Sequence, residues 1–229
     1  MNYVKIIKAL SLFLTFCFVF SLNASAQEIN YPVYKSKSNE EKKIALTFDD
    51  GPHPKKTQEI INVLEKYGVR ATFFVVGVNV KNYPNAMKAL VESGYEIGNH
   101  TYSHKLIKNA DKTHIKEELE KTETEIIKNG SVKTKLIRPP CGEYNENLIN
   151  ISLENDYKIV LWNIDTRDWA HTKKNEIVKT VLSKIKGGDI ILFHDYISGK
   201  NDTVEALELI IPSLLKQGYE FVSVSELLQ

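Results

Sequence analysis

Cysteine is nearly absent: the 229 residues hold two, Cys17 and Cys141. A chain that keeps only Cys141 after loss of its first residues has no internal disulfide, so its stability must come from its core. A dominant sign of charge is also missing. Lys and Arg number 30 and Asp and Glu 29, for a net charge of +1 with His neutral. No basic block runs along any segment, so nucleic acid is not an expected partner. Internal repeats and a second domain are absent as well. The apolar fraction of 42% and the charged fraction of 26% are ordinary for a globular protein. They exclude disordered and fibrous classes and leave ample material for one sizeable core.

The N-terminal apolar stretch, Ala9 to Leu22, covers 14 residues, too few for a comfortable membrane span. Lys5 and Lys8 precede it, and Ala24-Ser25-Ala26 follows. Residues 1–26 therefore read as a secretory signal, with an uncleaved anchor as the alternative. Phe16 is bulkier than a lipid-attachment site at Cys17 would accept. Cleavage after Ala26 leaves 28 basic against 29 acidic residues. The expected location is secreted or at the cell surface, with no stable membrane span once the signal is gone. Residues 27–41 are polar and read as a tether, followed by one domain over 42–229.

From Lys42 onward, strand-like and helix-like segments alternate. Strands are expected at Ile44–Phe48, Ala71–Val76, Tyr95–Gly98, Lys135–Ile137, Lys158–Trp162, Asp189–Phe193 and Glu220–Val224. Helices are expected at Thr57–Tyr67, Pro84–Ser93, Lys112–Asn129, Asn145–Asn155, Asn175–Lys186 and Asp202–Gln217. Continuous apolar strands such as Ile190-Ile191-Leu192-Phe193 imply burial on both faces. The pattern is that of a parallel α/β fold, either a closed barrel or an open doubly wound sheet.

The chemistry-bearing clusters each fall just after a strand. They are Asp49-Asp50, His100 with His104, Arg138, Asp165 with Asp168, and His194. In parallel α/β folds the C-terminal strand ends share one face, and sites are built there. Asp49 and Asp50 are neighbours, which point to opposite sides of a strand. Both serve one site only if the chain turns there, and Gly51-Pro52 supplies a turn. The plainer reading is an Asx turn that starts the next helix. His100 and His104 are spaced to share one face of a helical turn, as metal ligands require. Two His and one carboxylate leave open positions on a divalent ion. They also match the ligand triad of non-haem iron oxygenases, and two surface histidines are the bland alternative. Arg138 suits a bidentate pair with a carboxylate, or a rim ion pair. His194, ending an apolar strand, suits a general acid. Cys141, between prolines and a glycine, has no His–Asn or His–Asp arrangement tied to it, and reads as structural rather than nucleophilic. His53, His114 and His171 lack partners at ligand spacing and read as exposed or locally hydrogen-bonded.

Taken in order, these clusters resemble the polysaccharide deacetylase family, carbohydrate esterase family 4, also called the NodB-homology domain. Its T-F-D-D is Thr47-Phe48-Asp49-Asp50 and its H-[ST]-x-x-H is His100-Thr101-Tyr102-Ser103-His104. Its R-x-P-x-G is Arg138-Pro139-Pro140-Cys141-Gly142. Its D-x-x-D-W is Asp165-Thr166-Arg167-Asp168-Trp169, and its L-x-H is Leu192-Phe193-His194. The resemblance implies a distorted (β/α) barrel of about seven parallel strands, similar to a TIM barrel. It implies metal-dependent removal of acetyl groups from an acetylated polysaccharide, by a monomer. Asp50, His100 and His104 would hold one divalent ion, zinc by preference, with cobalt or nickel as alternatives. Asp49 would be the general base, positioned by Arg138, and His194 the general acid, oriented by Asp168. Trp169 and Leu192 would wall a pocket for the acetyl methyl. Cys141 stands where the family commonly has Tyr or Phe. The backbone N–H of that position is the implied oxyanion donor, so catalysis is expected to survive the change. N-acetylglucosamine units of peptidoglycan or chitin-like glycans are the expected substrate. O-acetyl xylan and a glycan-binding pseudoenzyme are the competing expectations.

Overall fold

The computed structural model describes residues 32–37, 41–130 and 132–229. The expected secretory signal, 1–26, and much of the expected tether lie outside the described residues. Among the described residues, no helix is long and apolar enough to cross a membrane.

The centre of the sheet is β2 (Lys43–Asp49), buried at six of its seven positions. Around it lie β1 (Val33–Tyr34), β3 (Thr72–Val75), β4 (Glu96–Asn99), β5 (Leu136–Ile137) and β6 (Lys158–Val160). The sheet is completed by β7 (Ile164–Asp165), β8 (Ile190–His194) and β9 (Glu220–Phe221). The order is β1-β6-β5-β4-β3-β2-β8-β7, and β9 pairs with the start of β2. All these pairings are parallel. Among the described residues no pairing joins β1 to β7, so the curved sheet is a half-barrel. This is the distorted (β/α) barrel that the resemblance implies, rather than an open doubly wound sheet.

Helices cover the outside. They are α1 (Lys56–Tyr67), α2 (Gly77–Asn82), α3 (Pro84–Glu92), α4 (Lys112–Gly130), α5 (Glu146–Asn155), α6 (Lys174–Lys184), α7 (Thr203–Lys216) and the short α8 (Val224–Leu227). The two-residue period of a strand divides the core into an outer and an inner part. Ile44, Leu46 and Phe48 of β2 join the outer cluster under the helices, with Phe73, Leu64 and Ile210. Ala45 points the other way, into an inner cluster with Phe74, Val160 and Ile190. Thr47 and Asp49 share the Ala45 side by the same alternation. A carboxylate at the end of β2 is thereby aimed into the barrel mouth.

Four features depart from the sequence expectation. Val33–Tyr34, inside the segment read as a tether, is an edge strand on β6: the Ile159 and Leu161 amides donate to Pro32 and Tyr34 carbonyls. Two residues in a polar stretch carry no detectable alternation. α2 is likewise too short, at six residues, to show a period. β7 is a two-residue strand directly after β6. The expected strand Glu220–Val224 stops at Phe221, because Ser223 caps α8 by accepting from the Glu226 amide.

Phe48 stacks on Phe73 at 4.8 Å and on Phe193 at 5.7 Å, tying β2, β3 and β8 to one another. Phe73 is fully buried. Phe73→Ala is expected to cost about 3–5 kcal/mol through lost contacts and the cavity left behind. Equilibrium urea denaturation measures this, and a loss under about 1 kcal/mol would show that the helices collapse onto the vacancy.

Candidate active site

The barrel mouth gathers carboxylates, imidazoles and one guanidinium from five strand ends. Asp49 is 2% exposed. Its Oδ1 accepts from Arg138 Nη1 at 2.7 Å, and its Oδ2 stands 3.7 Å from His100 Nε2. Asp50 has φ 75°, so the chain leaves the extended form just after Asp49. That reversal brings both carboxylates to one side. Asp tolerates this left-handed region better than most residues. A Cβ on Gly51 would collide with the Asp195 carboxylate, so the turn admits no side chain there.

Arg138 is fully buried, and its fork is filled. Nη1 also donates to Thr47 Oγ1 at 2.8 Å, Nε to the Val160 carbonyl at 3.0 Å and Nη2 to the Leu161 carbonyl at 2.9 Å. The guanidinium carbon lies 4.1 Å from the Phe74 ring centre and 5.5 Å from that of Trp162. The expected bidentate pair is therefore not formed. One guanidinium nitrogen meets one oxygen of Asp49, because the backbone carbonyls claim the others. The second oxygen of Asp49 stays turned toward His100.

The Arg138 main chain acts too. Its carbonyl lies 2.6 Å from His100 Nδ1. A carbonyl only accepts, so Nδ1 carries the hydrogen and the Nε2 lone pair faces Asp50. His100 Nε2 is 3.4 Å and His104 Nε2 3.0 Å from the same oxygen, Asp50 Oδ1. These three donor atoms lie within 4.8 Å of one another. Asp50 Oδ1 is buried and has no hydrogen-bond partner. A lone pair facing an unpartnered carboxylate oxygen is unfavourable unless a cation lies between them. The donor set therefore fits a divalent ion with open coordination positions. Burial opposes ionisation of Asp50, but the two imidazoles facing it hold its carboxyl well below the usual carboxylate range. Reciprocally, Asp50 raises the His104 pKa against its partial burial. The His pair does not form a helical turn, as its spacing predicts. Residues 100–104 form a bend with positive φ at Thr101 (65°) and His104 (56°).

Opposite lies the second pair. His194 ends β8, and the parallel register sets it beside Asp49. His194 Nδ1 is 2.8 Å from Asp168 Oδ1, and the His194 amide donates to Asp168 Oδ2 at 2.9 Å. Asp168 is 1% exposed and also accepts from the Trp169 amide and from Thr203 Oγ1, both at 2.9 Å. Burial alone would depress the His194 pKa. The hydrogen bond to Asp168 and the charges of Asp168, Asp49 and Asp50 outweigh it and push the pKa up to about 9.

A cleft of about 420 Å³ joins these groups, walled by Cys141, Trp162, Asp165, Trp169 and Leu192. Leu192 is 2% exposed, at the floor, whereas Trp169 is 48% exposed, at the rim. Cys141 has φ 56° in the turn Pro140–Gly142. Burial pushes its thiol pKa up, away from the thiolate a nucleophile needs. His53, His114 and His171 stand outside the cleft. His53 Nδ1 accepts from the Lys55 and Lys56 amides at the start of α1.

A family model described as polysaccharide deacetylase matches residues 36–160, more than half of the chain. The chain belongs to the polysaccharide deacetylase family. A peptidoglycan-N-acetylglucosamine deacetylase of Bacillus cereus is 41% identical over 199 residues, 83% of this chain and 90% of that protein. The crystal structure of the Bc1960 peptidoglycan N-acetylglucosamine deacetylase superimposes with a TM-score of 0.83 at 35% identity, over 86% of this chain and 92% of that one. A family 4 acetyl xylan esterase from Clostridium thermocellum, solved with a cobalt ion, gives 0.75 at 35% identity, over 81% and 89%. Members of this family are hydrolases, and this deacetylase-family chain is an enzyme of that class.

Several residues of the deacetylase-family site had no role in the sequence reading. Thr47 links Arg138 to β8 by donating to the Ile191 carbonyl at 2.7 Å. Trp162 packs on Arg138 and lines the cleft. Thr203 and Glu118 reach the site from helices 35 and 15 residues away from their partners. Separations of that size leave no local motif to read.

The raised His194 pKa gives a stability contribution with a definite sign. It is fully present below the unfolded value near 6.5 and lost as pH rises through about 9. Asp168→Asn is expected to move the His194 pKa down, read by NMR titration, and to flatten the stability decline between those pH values. An unchanged His194 titration would mean that Asp168 does not govern its charge.

Proposed function

We propose that this chain hydrolyses N-acetyl groups on N-acetylglucosamine units of peptidoglycan or chitin-like glycans and releases acetate. The observation that carries this reading is the arrangement around one cleft. Asp49 keeps one oxygen on Arg138 and the other free beside the Asp50–His100–His104 cluster, with His194 next to it on β8. The similarity to peptidoglycan deacetylases supports the choice of glycan and a place of action at the cell wall, secreted or surface-held. Residues 1–26 as signal and a catalytic domain that takes in the edge strand Val33–Tyr34 complete the proposal.

Asp50, His100 and His104 would hold the ion, zinc by preference, with cobalt or nickel as alternatives. Such an ion lowers the pKa of a bound water to about 7 and polarises an acyl oxygen. Asp49 takes the proton from the attacking water as general base. Arg138 keeps that carboxylate in place, so the free oxygen needs no reorientation. The Cys141 N–H supplies a donor for the charge that builds on the carbonyl oxygen, worth about 3–4 kcal/mol in comparable sites. His194, held protonated by Asp168, gives its Nε2 proton to the departing sugar amine. Without that proton the amine leaves as a strongly basic anion. Leu192 and Trp169 exclude water around the acetyl methyl. Ester cleavage needs the same groups, and the likeness to the acetyl xylan esterase makes O-acetyl xylan the second substrate to try.

Acetate release from acetylated peptidoglycan, chitin oligomers and acetyl xylan, with and without chelator, tests the substrate and the ion together. Chelation is expected to abolish release, and zinc or cobalt to restore it. Asp49→Asn is expected to retain the metal and lose about 10²–10⁴-fold in kcat. Full activity in that variant would remove Asp49 as the base. Glycan binding without acetate release would mark a pseudoenzyme.

A further inference from the structure

The segment between the two candidate ligand histidines is held in an unfavourable shape. Thr101 has φ 65°, a left-handed conformation that a β-branched residue rarely adopts, and His104 has φ 56°. Such residues cost about 1–3 kcal/mol each and persist only where their surroundings over-determine them. One side of the restraint is backbone. The Gly77 and Val78 amides, where α2 begins, donate to the Thr101 and Tyr102 carbonyls at 2.9 and 3.0 Å. The approach is close: a Cβ on Gly77 would lie 2.6 Å from the Tyr102 ring and 2.8 Å from Thr122 Oγ1.

The other side is a single carboxylate. Glu118, on α4, is 6% exposed. Its Oε2 accepts from the Tyr102 amide at 3.0 Å, the Ser103 amide at 2.8 Å and Ser103 Oγ at 3.0 Å. Three donors of the loop between the ligands converge on one oxygen of a helix that contributes nothing to the cleft. The same helix receives Asn99 Nδ2 on its Leu119 carbonyl at 3.0 Å, while Asn99 Oδ1 accepts from the Thr101 amide at 2.9 Å.

Resting on the metal site proposed above, we propose that Glu118 is a positioning residue for metal binding. It fixes Tyr102 and Ser103 so that His104 meets Asp50 and His100 on one ion. Without it the amides of Tyr102 and Ser103 lose their acceptor, the strained bend relaxes and His104 swings toward solvent. Its side chain, already 37% exposed, offers little resistance. Asp50 and His100, anchored on β2 and β4, stay behind as an incomplete set.

The test is cobalt titration of the full chain, followed by visible absorption, with thermal stability of the metal-free protein recorded alongside. Glu118→Leu is expected to weaken cobalt binding about 10–100-fold, the usual effect of losing a group that orients a ligand. It should also change the cobalt band, since one imidazole leaves. Glu118→Gln keeps an oxygen that the loop amides can reach and should recover part of the affinity. A merely structural glutamate would lower the melting temperature and leave affinity and spectrum alone. That result, with cobalt affinity within twofold of the parent, overturns the proposal while the proposed function stands. Failure of the parent itself to bind cobalt overturns both. Should Glu118→Leu not fold, amide exchange in the metal-free parent decides. Protected Tyr102 and Ser103 amides support the proposal, and unprotected ones overturn it.

Discussion

The buried ion pair between Arg138 and Asp49 is the interaction on which the rest of the site depends. A guanidinium with no solvent exposure is costly unless each of its hydrogens finds an acceptor. Here Asp49, Thr47 and the carbonyls of Val160 and Leu161 serve four of the five, with every guanidinium nitrogen donating. These partners come from β2 and from the end of β6, so the charge is satisfied only when the half-barrel is assembled. The same residue then sets two functional features. Its side chain fixes which oxygen of Asp49 is free, and its carbonyl fixes which nitrogen of His100 carries the hydrogen. Replacing the pair by apolar side chains would be tolerated energetically, as buried pairs often are. It would remove the Asp49 carboxylate and its anchor from the mouth, while the main-chain carbonyl at position 138 would still set the His100 tautomer. The pair is therefore best understood as a device of specificity.

Asp49, Asp50 and Asp168, gathered at one mouth, would ordinarily repel one another and share protons. Their partners separate them. Asp49 is paired with a cation that stays charged, and Asp50 faces two imidazoles. Asp168 accepts from two backbone amides, a hydroxyl and His194. The uncompensated negative charge is thus concentrated at Asp50 and at the free oxygen of Asp49, beside the cluster that would hold the proposed ion. It also raises the pKa of His194 from across the cleft, so the field that would attract a cation also favours the imidazolium. A bound ion would offset part of that field and bring the imidazolium closer to neutral working pH, where a general acid is most effective.

The fold was legible where periodicity is strong. Long apolar strands such as Ile190–His194 and helices such as Thr203–Lys216 carry enough residues to show a period. The two-residue strands β1 and β7 do not, and neither does α2. Asp49, Asp50, His100, His104, Arg138, Asp168 and His194 were legible because chemistry-bearing residues after apolar strands are unusual, and a parallel sheet collects such positions on one face. Glu118 and Thr203 were not, because glutamate in a charged helix and threonine at a helix start are common. Only distance in space distinguishes them. The spacing of His100 and His104 suggested a helical turn, whereas the two rings meet 4.9 Å apart across a bend. Four residues separate them along a bend, and the bend is maintained from outside.

At Cys141 the role proposed above falls on the backbone and not on the side chain. A polysaccharide deacetylase commonly carries an aromatic ring there, and this chain carries a small thiol. The donor proposed for the oxyanion is the N–H, whose direction follows from the turn after two prolines and from φ 56° at Cys141 itself. Nothing in that geometry requires a ring. The Cys141 side chain lines the cleft together with Trp162 and the Asp50–His100–His104 cluster. On the proposed function, the small side chain therefore bears on how a glycan lies in the cleft and leaves the N–H donor in place.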